Sequence, residues 1–214
     1  MPQNPILWYF ADPMCSWCWG FAPVVTALRD TFQDRLRVAL MLGGLRPGTT
    51  EPVTEEFRSE ILHHWQQVHE RSGQPFRFDG ALPEGFVYDT EPASRAVVTM
   101  GELKPEATFP YFKAIQGAFY AEGRDVTDIE VLTDLAVWQG VEAEAFAPLF
   151  TGEAMREKTL RHFALTRQAE VRGFPTLIMQ DEVGPKLLTN GYQPYEALAP
   201  VVEAWLQGVL RRGQ

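Results

Sequence analysis

Cys15 and Cys18 are the only cysteines in the chain of 214 residues, and they stand in a C-x-x-C spacing. Three chemistries can use such a pair. As a structural disulfide it would close a very small loop and constrain the unfolded chain little. As a zinc site it supplies two of four ligands, and histidines would have to complete the shell. His63, His64 and His69 lack the i,i+4 spacing that puts two rings on one helical face, so no metal is expected. The third chemistry is thiol–disulfide exchange, as in a C-x-x-C beside a βα pattern.

The flanks favour exchange. Residues 6–11 (ILWYFA) form a short aromatic run that reads as a buried strand, and Asp12-Pro13 breaks it. The run CSWCWGFAPVVTALRDTF then reads as a helix with both cysteines in its first turn. Unpaired N–H groups and the positive end of the dipole there favour thiolate. Cys15 is expected to be the exposed nucleophile. Cys18, three residues along the same face, is expected to be the more covered, resolving thiol. Ser16 and Trp17 between them should tune the redox potential.

The remaining elements must hold this turn in place. Residues 36–42 read as a second strand, stopped by Gly43-Gly44. From about residue 50 to 170 the pattern becomes helical. Val53, Phe57, Ile61, Trp65 and Val68 make one apolar face, with Gly73 as a C-cap. Thr90, Thr108 and a Thr127–Glu130 capping box are expected to start further helices. The last of these should carry Leu132, Leu135 and Trp138 inward, and Gly123 and Gly140 should act as stops. Further helices are expected at 142–150 and 153–170. Strand signals return at 176–179 and 186–189, and Pro194 opens a last helix with Leu198, Val201, Val202, Trp205, Leu206 and Val209 inward. The order is β-α-β, a helical block, then β-β-α, with no internal repeat. The expectation is an α/β protein in which residues 1–45 and 152–214 form one discontinuous domain and 46–151 an inserted helical one.

Charge and length exclude several classes. Nineteen Lys and Arg against 28 Asp and Glu leave −9, a surface that repels phosphate backbones and anionic lipid heads. The uncharged stretch 13–28 has 16 residues and contains Pro23, short of the roughly 20 that span a bilayer. No Lys or Arg precedes Arg29, so the basic start of a secretory signal is missing and a cytoplasmic location is expected.

C-x-x-C at the first helix start, Pro23 eight residues after Cys15, and Gly173-Phe-Pro-Thr176 ahead of the last strand pair resemble the thioredoxin fold. The helical insertion resembles its DsbA-like branch. DPMCSWCWGF and DTEPASRAVV (residues 89–98) resemble the FrnE-like, or predicted protein-disulfide-isomerase, group. The resemblance covers essentially the whole chain and implies a thiol–disulfide oxidoreductase of the oxidase or isomerase type. It implies a cis bond between Phe174 and Pro175, which would line a groove where an extended substrate strand pairs with the backbone. In thioredoxin a buried Asp on the first strand assists proton transfer; Tyr9 stands there, and Asp12 is the nearby acid that could relay a proton. The resemblance implies protein or peptide disulfide and dithiol substrates. It implies no cofactor, with glutathione or a thioredoxin-type reductant as a redox partner. Kappa-type glutathione transferases and 2-hydroxychromene-2-carboxylate isomerases resemble the same scaffold, with Ser where Cys15 stands. A third alternative is a non-enzymatic holdase or redox sensor, binding unfolded chains on an apolar face around Trp17, Trp19, Phe21 and Phe174.

Overall fold

The computed structural model describes residues 5–208. Strand β1 (Ile6–Ala11) leads into helix α1 (Ser16–Phe32), and β2 (Arg37–Leu42) follows. Six helices then run in succession: α2 (Glu55–Ser72), α3 (Glu91–Leu103), α4 (Thr108–Gly117), α5 (Ile129–Trp138), α6 (Ala143–Thr151) and α7 (Glu153–Gln168). Strands β3 (Thr176–Asp181) and β4 (Gly184–Asn190) and helix α8 (Tyr195–Leu206) complete the chain.

The strands make one sheet in the order β2-β1-β3-β4. β1 pairs in parallel with β2 and antiparallel with β3, so strands from the two ends of the chain lie side by side, Tyr9 opposite both Leu40 and Leu177. Parallel pairing requires a crossover, and α1 supplies it. Leu7, Tyr9 and Ala11 are fully buried on one face of β1, and the Tyr9 ring meets Phe21 of α1 and Phe112 of α4. Helix α7 is tied to the outer strand β2 at Leu42, which donates from its N–H to His162 Nδ1 and accepts from Thr166 Oγ1.

Several local expectations hold for clear reasons. Gly73 and Gly123 end their helices with φ of 72° and 71°, the left-handed conformation that costs glycine nothing. Other expectations need correction. Thr90 does not cap α3, because its hydroxyl accepts from the Arg46 N–H; Asp89 accepts from Glu91 N instead. Thr108 does not cap α4, because a short 3₁₀ turn at 105–107 precedes it and Thr108 Oγ1 donates to Pro105 O. The expected capping box slips by one residue. Asp125 engages both the N–H and the hydroxyl of Thr127, which leaves Asp128 to cap α5 by accepting from Glu130 N. Trp138 is 88% exposed, not inward; the buried face of α5 is made by Leu132, Leu135 and Ala136, and Trp138, its last residue, falls outside it. In α8, Leu198, Val202 and Trp205 are buried whereas Val201 is exposed; Val209 lies outside the described residues.

Candidate active site

Asp12 turns the chain from β1 into α1. Its main-chain carbonyl accepts from Cys15 N, and its Oδ1 accepts from Met14 N at 2.9 Å. Its Oδ2 accepts from Leu45 N at 2.8 Å, which ties the loop after β2 to the same turn. The carboxyl is fully buried, and burial raises its pKa to about 6 against the pull of these backbone donors. Asp12 is therefore a structural tie at this turn. Pro13 and Met14 follow, and Cys15 takes the N-cap position of α1 in an extended conformation (φ −95°, ψ 116°). From there its carbonyl accepts the Trp19 N–H.

Both cysteines are free thiols. Cys15 is not exposed as expected: it is only 6% accessible, and Cys18 is 0% accessible. The cover comes from other elements. Phe174 lies over Cys15, whose Sγ is 3.6 Å from the Phe174 carbonyl oxygen, and the bond from Phe174 to Pro175 is cis. Residues 15 and 175, far apart in the chain, thus face each other. At Cys18 the helix start does not decide the ionisation. Burial is the largest influence and raises its pKa well above the usual thiol value, with the neighbouring Cys15 thiol adding to it. Among the described residues the Tyr9 hydroxyl, beneath the pair, has no nitrogen or oxygen partner; burial and then the thiols of Cys18 and Cys15 keep it a neutral phenol.

Residues that the motif does not contain complete the site. Tyr88 donates its hydroxyl to Met14 O at 2.6 Å, bracing the peptide just before Cys15 from the helical block. An aromatic cluster lies behind it. Tyr120 sits in a single π-turn (Ala118–Glu122) at the end of α4, stacks on Trp19 and meets Trp65 edge-on at 5.0 Å. Trp19 is buried in this packing and Phe21 is buried between the rings of Tyr9 and Tyr192, which corrects the expectation that they form an apolar docking face. Trp17 and Phe174 remain half-exposed, and Trp17 lies 6.0 Å from the Tyr192 ring. Ser16, half-buried, lines the same cleft as Cys15.

Two clefts share Trp17 and Phe174 as a common wall. One, of about 380 Å³, includes Cys15, Arg46, Phe57, His64 and Tyr88 in its lining. The other, of about 520 Å³, lies between α2 and the loop after β4, with Gln67, Glu70, Arg71 and Tyr192. Both fall in the size range of small-ligand sites. Among the described residues no group of three or more His, Cys, Asp or Glu side chains is placed to hold a metal ion. No helix among them is long and apolar enough to cross a membrane. Arg46 and Tyr88 carried no sequence signal. Residues 89–98 did, and their part is scaffolding: Asp89 accepts from Gly48 N and Glu91 N, and Glu91 pairs with Arg95 at 3.0 Å inside the helical block.

Residues 6–203 match the DSBA-like thioredoxin domain family. The chain belongs to that family. Among solved structures, a candidate protein disulfide isomerase from Nitrosomonas europaea is 46% identical, with a TM-score of 0.91 over 96% of this chain and 98% of the other. The cytosolic disulfide reductase DsbM from Pseudomonas aeruginosa is 30% identical, with a TM-score of 0.79 over 94% and 98% of the two chains. A second DsbM structure, solved with GSH, is 31% identical with a TM-score of 0.78, over 94% of this chain and 99% of that one. Among curated proteins, the ClpXP adapter protein SpxH of Halalkalibacterium halodurans is 21% identical over 211 residues, 94% of this chain and 67% of its own length. The fold is the DsbA-like thioredoxin fold, and the family is one of thiol–disulfide oxidoreductases.

Proposed function

We propose that this DsbA-like protein exchanges disulfides through Cys15 and Cys18, with Cys15 as nucleophile and Cys18 as resolving thiol. The observation that carries the reading is the position of Cys15 at the α1 N-cap, open to one cleft and 3.6 Å from the carbonyl of Phe174. In the first step the Cys15 thiolate attacks a substrate sulfur; a Cys15–substrate disulfide forms, and the other sulfur leaves with the electron pair of the broken bond. Cys18, deprotonated, then attacks Cys15 Sγ, releasing the substrate thiolate and leaving a Cys15–Cys18 disulfide. Asp12, whose charge Cys18 feels, is the carboxyl through which that proton would leave. Pro175 and Phe174 form the edge against which an extended substrate would lie, and Ser16 and Trp17 set the potential.

The substrates in this reading are protein or peptide disulfides and dithiols, with glutathione or a thioredoxin-type reductant returning the electrons. The DsbM structure solved with GSH supports glutathione, and the cytosolic description of DsbM supports a cytoplasmic location. Cys15, where the transferase and isomerase relatives of this scaffold carry Ser, supports exchange over those activities.

The test is trapping with a disulfide-bonded protein such as insulin. Cys18→Ser accumulates a mixed disulfide at residue 15, and Cys15→Ser forms none. Trapping by Cys15→Ser in place of Cys18→Ser would reverse the assignment; trapping by neither would end it.

A further inference from the structure

The charges of the two clefts beside Cys15 differ, and the difference fits the two ends of one small molecule. The cleft that contains Cys15 has Arg46 and His64 in its lining and no Asp or Glu. Arg46 lies over the Phe57 ring at 4.4 Å and has no carboxylate partner among the described residues. This is a cation held by an aromatic face and left available, in a protein with nine more acidic than basic residues. The second cleft contains one charge of each sign, Arg71 and Glu70. Among the described residues Arg71 also lacks an ion-pair partner, and Glu70 is engaged only by Gln66 Nε2 at one oxygen. Trp17 and Phe174 stand between the clefts, with the Phe174 carbonyl at Cys15.

A thiol tripeptide whose middle residue bears the sulfur matches this layout. Glutathione has a lone carboxylate at its glycine end and a carboxylate with an ammonium at its γ-glutamyl end. We infer that the two clefts form a glutathionyl site, in which Arg46 takes the glycine carboxylate and the Arg71–Glu70 pair takes the zwitterionic γ-glutamyl end. The inference rests on the exchange reading above and narrows its substrate class to glutathione disulfide and glutathione mixed disulfides, with the thioredoxin-type reductant, not glutathione, returning the electrons when glutathione disulfide is the substrate.

The reduced protein and glutathione disulfide then react without a further reagent. Cys15 attacks one glutathionyl sulfur; the S–S bond of the substrate breaks, and the first glutathione leaves as thiolate. Cys18 gives up its proton and displaces the second. Two glutathione thiols form and the Cys15–Cys18 pair is oxidised, so two electrons pass from protein to substrate.

The experiment follows this single turnover by tryptophan fluorescence at increasing disulfide concentration, giving a half-saturating concentration and a limiting rate. The disulfides used are those of glutathione, of γ-glutamylcysteine, which lacks the glycine carboxylate, and of cysteinylglycine, which lacks the γ-glutamyl end. With glutathione disulfide, Arg46→Gln and Arg71→Gln are each expected to raise the half-saturating concentration about tenfold, the size of one charge-assisted contact. Removing the glycine from the substrate has the same effect on the unaltered protein. Combined with Arg46→Gln the two losses do not add, whereas combined with Arg71→Gln they do. Cysteinylglycine disulfide gives the opposite pattern.

Additive losses in every combination would show that these arginines do not meet these groups and would overturn the inference. Turnover of insulin with no saturable reaction of glutathione disulfide would overturn it and leave the exchange reading standing. Reaction with neither substrate would overturn both.

Discussion

Asp12 shows how a single buried carboxyl couples the active-site turn to pH. Its ordinary pKa of 3.8 rises to about 6 in the folded protein, burial being the first cause. Between those values the folded chain holds a proton that the unfolded chain has released. Stability is therefore fully present below about pH 4 and falls as pH rises towards 6, by about 3 kcal/mol for a two-unit shift. Asp12→Asn is neutral throughout and is expected to remove that slope. Its amide can accept from only one of Met14 N and Leu45 N, so its stability at low pH lies about 1–3 kcal/mol beneath that of the unaltered protein. Urea unfolding of the reduced proteins at several pH values between 4 and 7 measures both effects. Identical slopes in the two proteins would remove Asp12 as the titrating group.

Among the elements, the closest approach at the site joins the end of β2 to the loop before β3. A Cβ on Gly43 would fall 2.0 Å from the Phe174 ring. The Gly43 N–H also donates to Ala11 O at 2.8 Å, extending the β1–β2 ladder by one bond, so the backbone cannot simply retreat. Gly43→Ala is expected to push Phe174 off the wall shared by the two clefts and to destabilise by about 1–3 kcal/mol, the usual range for overpacking. Phe174→Ala opens space for the new methyl, so the double variant should be more stable than the sum of the single losses requires. Thermal unfolding of the four proteins decides this; strict additivity would mean that the two residues do not touch. Gly20 has a similar part between α1 and α2, where an added Cβ would meet Val68 at 2.7 Å. The cysteine helix and the first helix of the inserted stretch are thus packed at glycine distance.

For the whole molecule, the burial of both thiols makes reactivity a report on packing. Cys15 adjoins a cleft, whereas Cys18 is fully enclosed among β1, α1 and the turn at Asp12, and burial also disfavours its thiolate. Iodoacetamide is expected to reach Cys15 in the native reduced protein. Cys18 should react at least about a hundredfold more slowly, at a rate that follows the population of opened molecules. Adding urea below the unfolding transition should therefore speed Cys18 alone. Mass spectrometry of the labelled peptides measures the two rates, and similar rates in the absence of urea would contradict the enclosure of Cys18.

What the sequence by itself determined was local in origin. The alternation of β-prone runs and 3.6-period stripes, the stops at Gly73 and Gly123, and the Cys15–Cys18 spacing at a helix start all follow from backbone preferences within a few residues. These were enough to place the strands and α-helices of the described residues, though not the 3₁₀ turn at 105–107 or the π-turn at 118–122, and to mark Cys15 and Cys18 as candidates; the thioredoxin resemblance added Pro175. The tertiary structure decided what covers them. Burial of Cys15 depends on Phe174 arriving from the far end of the chain, and burial of Trp19 depends on Tyr120 and the aromatic cluster around it. Trp138, though at an apolar position of its helix, is left exposed while Leu132, Leu135 and Ala136 fill the buried face. The same limit hid Thr90, whose hydroxyl serves Arg46 across the fold and not its own helix. Arg46 itself reached the site only through a loop tied down by Asp12 and Thr90. Hydrogen-bond partners and solvent cover are properties of neighbours in space, and a local pattern fixes conformation without choosing those neighbours.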